Sequence, residues 1–265
     1  MDSLKLSSGL IFIQLVLLAS VFNSANAQLK VGFYKDSCPQ AEAIVKGVMD
    51  QVLKVAPSLS GPLLRLHFHD CFVRTLGPSW RVETGRRDGR VSNFSEPLTN
   101  LPPFFANISQ LFTQFRSKNL SKKDLVVLSG AHTIGTSHCS SFDSRLYNFT
   151  GKGDTDPTLD SEYITRLKKK CKAGDQITLV EMDPGGARTF DNSYYKLVAN
   201  RRALFQSDAA LLDNNYTKAY VKLQSVTTDE STFFKDFGVS MRKMGRVEVL
   251  TGKAGEIRKV CSKVN

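Results

Sequence analysis

The chain has 265 residues, room for one large domain or two small ones and enough to bury a substantial core. Hydrophobic residues make up 41% and charged residues 23%, with 18 Gly and 9 Pro, which excludes collagen-like, low-complexity and wholly disordered classes. Lys and Arg total 36 against 25 acidic residues, so the net charge of +11 suits a polyanionic setting: nucleic acid, anionic lipid or acidic polysaccharide.

In chain order, residues 1–27 come first. A short, weakly basic start leads into an apolar run from Leu10 to Phe22, broken only by Gln14 and Ser20, and Ala25-Asn26-Ala27 supplies small residues for cleavage. This pattern reads as a secretory signal peptide, an uncleaved anchor being the alternative. Residues 28–265 then form the mature domain, in which no stretch is apolar enough to span a membrane. Residues 38–55 place Ala41, Ile44, Val45, Val48, Met49 and Val52 at helical spacing. Helical patterns follow at 63–72, with Pro62 near the first turn, and at 108–115. Ser121 to Asp124 resembles a capping box opening a helix that runs through Ala131 and closes near Gly135. Further helices are predicted over 161–171, 192–202, 217–225 and 232–244. Strand signals are confined to Trp80-Arg81-Val82 and Val247-Glu248-Val249, so the expected fold is mainly α.

Export agrees with five Asn-x-Ser/Thr sequons, at Asn93, Asn107, Asn119, Asn148 and Asn215, which belong on surface loops of an exported protein. No recognition motif or aromatic RNA-binding stripe accompanies the charge, so nucleic acid is not an expected partner. Acidic glycans outside the cell suit it better. The cysteines, Cys38, Cys71, Cys139, Cys171 and Cys261, are odd in number, which leaves at least one unpaired.

Three stretches carry chemistry. In Arg65-Leu66-His67-Phe68-His69-Asp70-Cys71, Arg65 and His69 are four apart and share one helix face. There His69 can accept a proton while Arg65 stabilises developing negative charge. His67 falls on another face, and His67, His69 and Cys71 diverge too much for a metal set. The alternative is that His69 and Arg65 are polar residues of a groove. In the second stretch, residues 128–135, His132 is flanked by small residues that let a large group approach its face. A His can ligate iron through one nitrogen while a carboxylate such as Asp208 orients the other; a satisfied core histidine is the plainer reading. The third stretch, residues 183–192, holds Asp183 and Asp191 in a Gly/Pro loop with hydroxyl and backbone oxygens between them. That suits a hard cation such as calcium, or else a solvated turn.

Together and in this order, these stretches resemble the secretory plant haem peroxidases, class III. The resemblance extends through Phe33-Tyr34 to Cys38-Pro39, Gly85-Arg86-Arg87-Asp88-Gly89, Asn100-Leu101-Pro102, Arg145-Leu146-Tyr147-Asn148, Phe190 to Tyr195, Ser207-Asp208 and Met244-Gly245 to Cys261. It implies the helical haem peroxidase fold, with haem b held between a distal and a proximal half. His69 would be the distal acid–base and Arg65 the cation assisting O–O cleavage, with Phe68 walling the haem pocket. His132 would be the axial iron ligand, Asp208 its hydrogen-bond partner, and Pro102 the position near the haem edge where aromatic donors rest. Thr133, Asp183, Thr189 and Asp191 would ligate a proximal calcium, although Gly186 stands where the family offers a hydroxyl. Cys139–Cys171 would be a disulfide.

The sequence departs from the family between Arg74 and Thr75. A segment on the order of 60 residues, core as well as loop, is skipped, so part of the distal half is missing. Of the distal calcium ligands only Asp70 and the Val73 carbonyl remain. The Asn that orients the distal His is absent, and Cys38, Cys71 and Cys261 have lost their family partners. The resulting expectation is a monomeric haem peroxidase, exported to the extracellular space, the cell wall or the vacuole. It would reduce hydrogen peroxide, oxidise small phenolic donors, and adhere to acidic cell-wall polysaccharide. The rival expectation is an impaired or inactive variant acting at most as a basic wall-binding protein.

Overall fold

The computed structural model describes residues 29–63, 80–91, 93, 95–260 and 262–265. Among them the α-helices, in chain order, are α1 Ala41–Val55, α2 Glu96–Asn100, α3 Ile108–Ser117, α4 Lys122–Ser129, α5 Asp143–Tyr147, α6 Ser161–Lys170, α7 Ser193–Ala199, α8 Gln206–Ala209, α9 Asn215–Val226 and α10 Ser231–Met244. The protein is mainly α, as expected. The helix expected over 63–72 lies outside the described residues beyond Leu63.

At the centre lies α4. It begins where Ser121 and Asp124 form the expected capping box: the Ser121 N–H donates to Asp124 Oδ2 at 2.8 Å and the Asp124 N–H to Ser121 Oγ at 3.2 Å. The Asp124 carboxylate also accepts from Ser240 Oγ at 2.8 Å and from Lys243 Nζ at 3.0 Å, which ties α4 to α10. Burial opposes its charge, but these donors hold its pKa below the usual carboxylate value. Leu125 through Leu128 are all buried, because α3, α9 and α10 pack around α4 and α9 also packs against α7. Aromatic rings fill the space between them. Phe190 stacks on Phe233 at 5.5 Å and meets the edge of Phe237 at 4.8 Å.

A second cluster gathers α5, α6 and the only two strands among the described residues, β1 Thr136–His138 and β2 Leu179–Glu181. The strands are antiparallel, with Thr136 opposite Glu181. Cys139 and Cys171 are joined here, their Cα atoms 5.6 Å apart, closing a loop that loop-closure entropy values at about 3–4 kcal/mol. Cys38 is exposed and forms no disulfide among the described residues.

Three expectations need correcting. Neither 80–82 nor 247–249 is a strand. Glu248 adopts φ 51°, in the left-handed region, which no extended strand accommodates. Residues 80–91 are instead held by isolated pairings such as Arg87 with Leu250 and by the Trp80 ring, whose centre is 5.9 Å from that of Phe237. In addition, α4 stops at Ser129, and His132 sits on a 3-10 turn, Gly130–Thr133, rather than on a continuing α-helix. Tyr195 and Phe233 press so closely on Gly130 that a Cβ there would stand 2.6 Å from the Tyr195 hydroxyl. The helix expected over 192–202 ends at Ala199, before Arg201 turns into the left-handed region at φ 57°.

Candidate functional site

The turn after α4 presents His132 to the start of α8. Its Nδ1 lies 2.8 Å from Asp208 Oδ1, and the same oxygen accepts the Tyr194 hydroxyl at 2.8 Å. The rings of Phe205 and Tyr194 flank the imidazole edge-on, with centroids at 5.2 and 6.0 Å. Asp208 is buried, and its Oδ2 has no hydrogen-bond partner among the described residues. Burial works against a charged imidazole, but the adjacent carboxylate outweighs it and raises the His132 pKa. Burial and Asp208 together push the Tyr194 phenol well above its usual value, so it remains a donor.

The His132 side chain is nevertheless 37% exposed, and among the described residues no hydrogen bond reaches its Nε2. One ring nitrogen is thus fixed by a buried carboxylate while the other faces outward. That pairing sets the tautomer and raises the basicity of Nε2, the arrangement by which a His ligates iron. The donor set fits a haem iron.

Beneath this turn lies the loop of Asp183 to Asp191. The Gly135 N–H donates to the Ala187 carbonyl at 2.8 Å, and the Met182 N–H donates to Gly135 at 3.0 Å. The Thr133 hydroxyl, fully buried, donates to Asp191 Oδ1 at 2.9 Å. Asp183 is buried close by. Its pKa is pushed up to about 6 by burial and by the negative charges of Asp191 and Glu181, against which Lys196 acts. Carboxylates gathered with so little opposing charge fit a hard cation. Thr189 is exposed and donates its N–H to the Gly186 carbonyl at 2.8 Å. A Cβ at Gly186 would stand 2.6 Å from Asp183 Oδ2, so the carboxylate occupies the space a side chain would take. Among the described residues no three His, Cys, Asp or Glu side chains gather as a metal cluster, so any cation here would depend on hydroxyl and carbonyl oxygens as well.

Pro102 is half-buried in the loop leading to Phe104. The Phe104 carbonyl accepts the Ser207 N–H at 3.0 Å, and its ring lies 6.1 Å from that of Phe205, beside His132. The structure therefore brings the Pro102 loop, His132, Asp208 and the Thr133–Asp191 pair to one region. Arg65, Phe68, His69, Asp70 and Val73 lie outside the described residues. Gly61, four residues before Arg65, packs on the backbone of Gly135 and Ile134. Two contributors were not singled out by sequence reasoning, Tyr194 and Phe205. Tyr194 stands within the Phe190 to Tyr195 stretch, but nothing local distinguishes it from its neighbour as the residue that reaches Asp208.

The profile of the family described as Peroxidase matches residues 73–226. Among curated proteins, Peroxidase 56 of Arabidopsis thaliana is 50% identical over 330 aligned positions, spanning the whole of both chains. Peroxidase 27 of Arabidopsis thaliana is 49% identical over 98% of this chain and 99% of its own. Peroxidase 1 of Oryza sativa subsp. japonica is 44% identical over 98% of this chain and 100% of its own. The chain belongs to the peroxidase family, whose members take haem and calcium and use hydrogen peroxide with small-molecule donors. Within that family it is one of the class III peroxidases of plants.

Proposed function

We propose that this chain is an exported haem peroxidase that reduces hydrogen peroxide and oxidises small phenolic donors one electron at a time. The observation that carries the reading is the His132–Asp208 pair, with Nδ1 anchored at 2.8 Å and Nε2 offered outward. Haem would supply the redox-active iron, from which peroxide takes two electrons and to which phenolic donors return them one at a time. The chain's own residues do the rest. His132 would hold the iron, and Asp208, itself held by Tyr194, would fix the imidazole proton at Nδ1 and leave Nε2 electron-rich. By resemblance, His69 carries the proton from one peroxide oxygen to the other, Arg65 stabilises the negative charge on the departing oxygen, and Phe68 walls the pocket. Pro102 borders the route by which a phenol approaches. Thr133, Asp183, Thr189 and Asp191 hold calcium, which would neutralise the carboxylates beneath His132.

Export is supported by the leader pattern of residues 1–27 and by all five sequon asparagines being exposed. Asn107 caps α3 through Oδ1, which leaves its Nδ2 for a glycan. No helix among the described residues is long and apolar enough to cross a membrane. The charge of +11 favours residence on acidic wall polysaccharide.

A second reading, a chain impaired by loss of an internal segment after Arg74, has its own support. The alignment with Peroxidase 56 occupies 330 positions while this chain supplies 265 residues. Moreover, α1 buries none of its side chains, leaving Ile44, Val48 and Val52 exposed. The visible spectrum of the secreted full chain supplied with haem decides between them. A Soret band that changes on adding peroxide, and that is absent from His132→Ala, is the expected result. A wild-type chain that retains no haem would establish the impaired reading, and equal haem retention by His132→Ala would overturn the ligand assignment.

A further inference from the structure

A cavity not lined by His132 borders α8 at Gln206 and Ala209. Its volume is about 380 Å³, within the range of small-molecule sites. At its base is Arg145, which is 2% exposed yet lines the cavity. Its Nε donates to Asp156 Oδ2 at 2.8 Å, and its Nη1 donates to the carbonyls of Ala203 and Leu204 at 2.7 Å each. A carboxylate usually engages the Nε and Nη2 edge of a guanidinium with both oxygens. Here Asp156 Oδ1 is taken instead by the N–H and hydroxyl of Thr158, at 2.8 and 2.7 Å. No hydrogen bond among the described residues uses Arg145 Nη2, so a buried cation keeps an unused donor at the cavity wall.

The rim adds further positive charge. Lys218 and Lys222 are one turn apart on α9 and both exposed, and Arg201, also exposed, lines the same cavity. None of the three forms an ion pair among the described residues, and Asp213 is the acidic side chain on this rim. The rest of the lining mixes apolar side chains, Phe149, Val198, Ala203, Ala210 and Leu212 among them, with polar Thr158 and Gln206. A donor at the bottom, apolar side chains in the lining and a cationic mouth describe the complement of an anion with a hydrophobic body.

We infer that this cavity binds a small aromatic carboxylate, its ring against Phe149 and Leu212 and its carboxylate between Arg145 and the lysine rim. Such a site is separate from the donor route at Pro102. Calorimetric titration of the full chain with benzoate, benzamide and inorganic phosphate tests it. Saturable benzoate binding is expected, with affinity at least tenfold above that for benzamide or phosphate. The charge-reversed double variant Lys218→Glu/Lys222→Glu, altered only at exposed positions, should weaken benzoate at least tenfold. Arg145→Lys, checked for folding by circular dichroism, should weaken it too, because an ammonium lacks the second edge of the guanidinium. Unchanged benzoate affinity in the double variant, or benzamide or phosphate binding as tightly as benzoate, would overturn the assignment.

Discussion

At the residue scale, Asp208 decides how His132 is held, and Tyr194 decides how Asp208 is held. Oδ1 receives both donors, at 2.8 Å each, while Oδ2 has none among the described residues. Removing the phenol would therefore leave a buried carboxylate with the imidazole as its remaining donor. A buried hydrogen bond to a charged acceptor contributes about 1.5–3 kcal/mol, so Tyr194→Phe should lower the free energy of urea unfolding by that amount. A change below about 0.5 kcal/mol, the range of an ordinary surface substitution, would show that the hydroxyl contributes nothing to holding Asp208. His132 was legible in the sequence because small residues flank it. Asp208 was legible only through the family resemblance, since it lies 76 positions away. The part played by Tyr194 was not legible at all, because two adjacent tyrosines take different jobs: Tyr195 donates to the Val126 carbonyl at 3.1 Å and braces α4.

Among elements, the segment 80–91 is held to α10 and the turn after it chiefly by charge. Glu83, almost fully buried, accepts Arg246 Nε at 2.6 Å and Arg242 Nη2 at 3.3 Å, and Arg246 Nη2 also reaches it. Arg246 foremost, then Arg242, holds the Glu83 pKa below its usual value, with burial opposing. A carboxylate whose folded pKa is depressed stabilises the fold above its unfolded pKa of about 4.3, and that stabilisation is lost as pH falls through the lower folded value. The thermal midpoint should therefore drop as the solution is acidified below about pH 4.3, and Glu83→Gln should remove that part of the slope. An identical acid profile in Glu83→Gln would mean the clamp contributes nothing. Sequence periodicity located the long helices, and the Ser121 capping box fixed the start of α4 correctly. Strands were misplaced for a physical reason. Apolar residues at 247 and 249 look like alternation, but Glu248 between them is left-handed, while Thr136–His138 buries a serine and shows no hydrophobic pattern.

For the whole molecule, burial is distributed unevenly along the chain. The core is concentrated around α4 and in the disulfide-closed cluster, both C-terminal to residue 100. By contrast, α1 keeps an amphipathic pattern without a surface among the described residues to bury it. Ile44, Val48 and Val52 recur at intervals of four along one face, and Val45 and Val55 are exposed as well. In a soluble chain, a contiguous apolar face of this kind is a patch normally covered by something else. The periodicity of 38–55 was plain in the sequence, but periodicity reports only that a face is apolar, not that a partner is present. The full chain should accordingly bind a hydrophobic dye such as ANS in its native state. Replacing Val48 and Val52 by Lys should abolish most of that fluorescence while shifting unfolding free energy by no more than about 0.5 kcal/mol per site, since neither side chain is buried. Loss of 2 kcal/mol or more on that double replacement would show instead that α1 buries this face in solution, and the cost would then be that of removing core contacts.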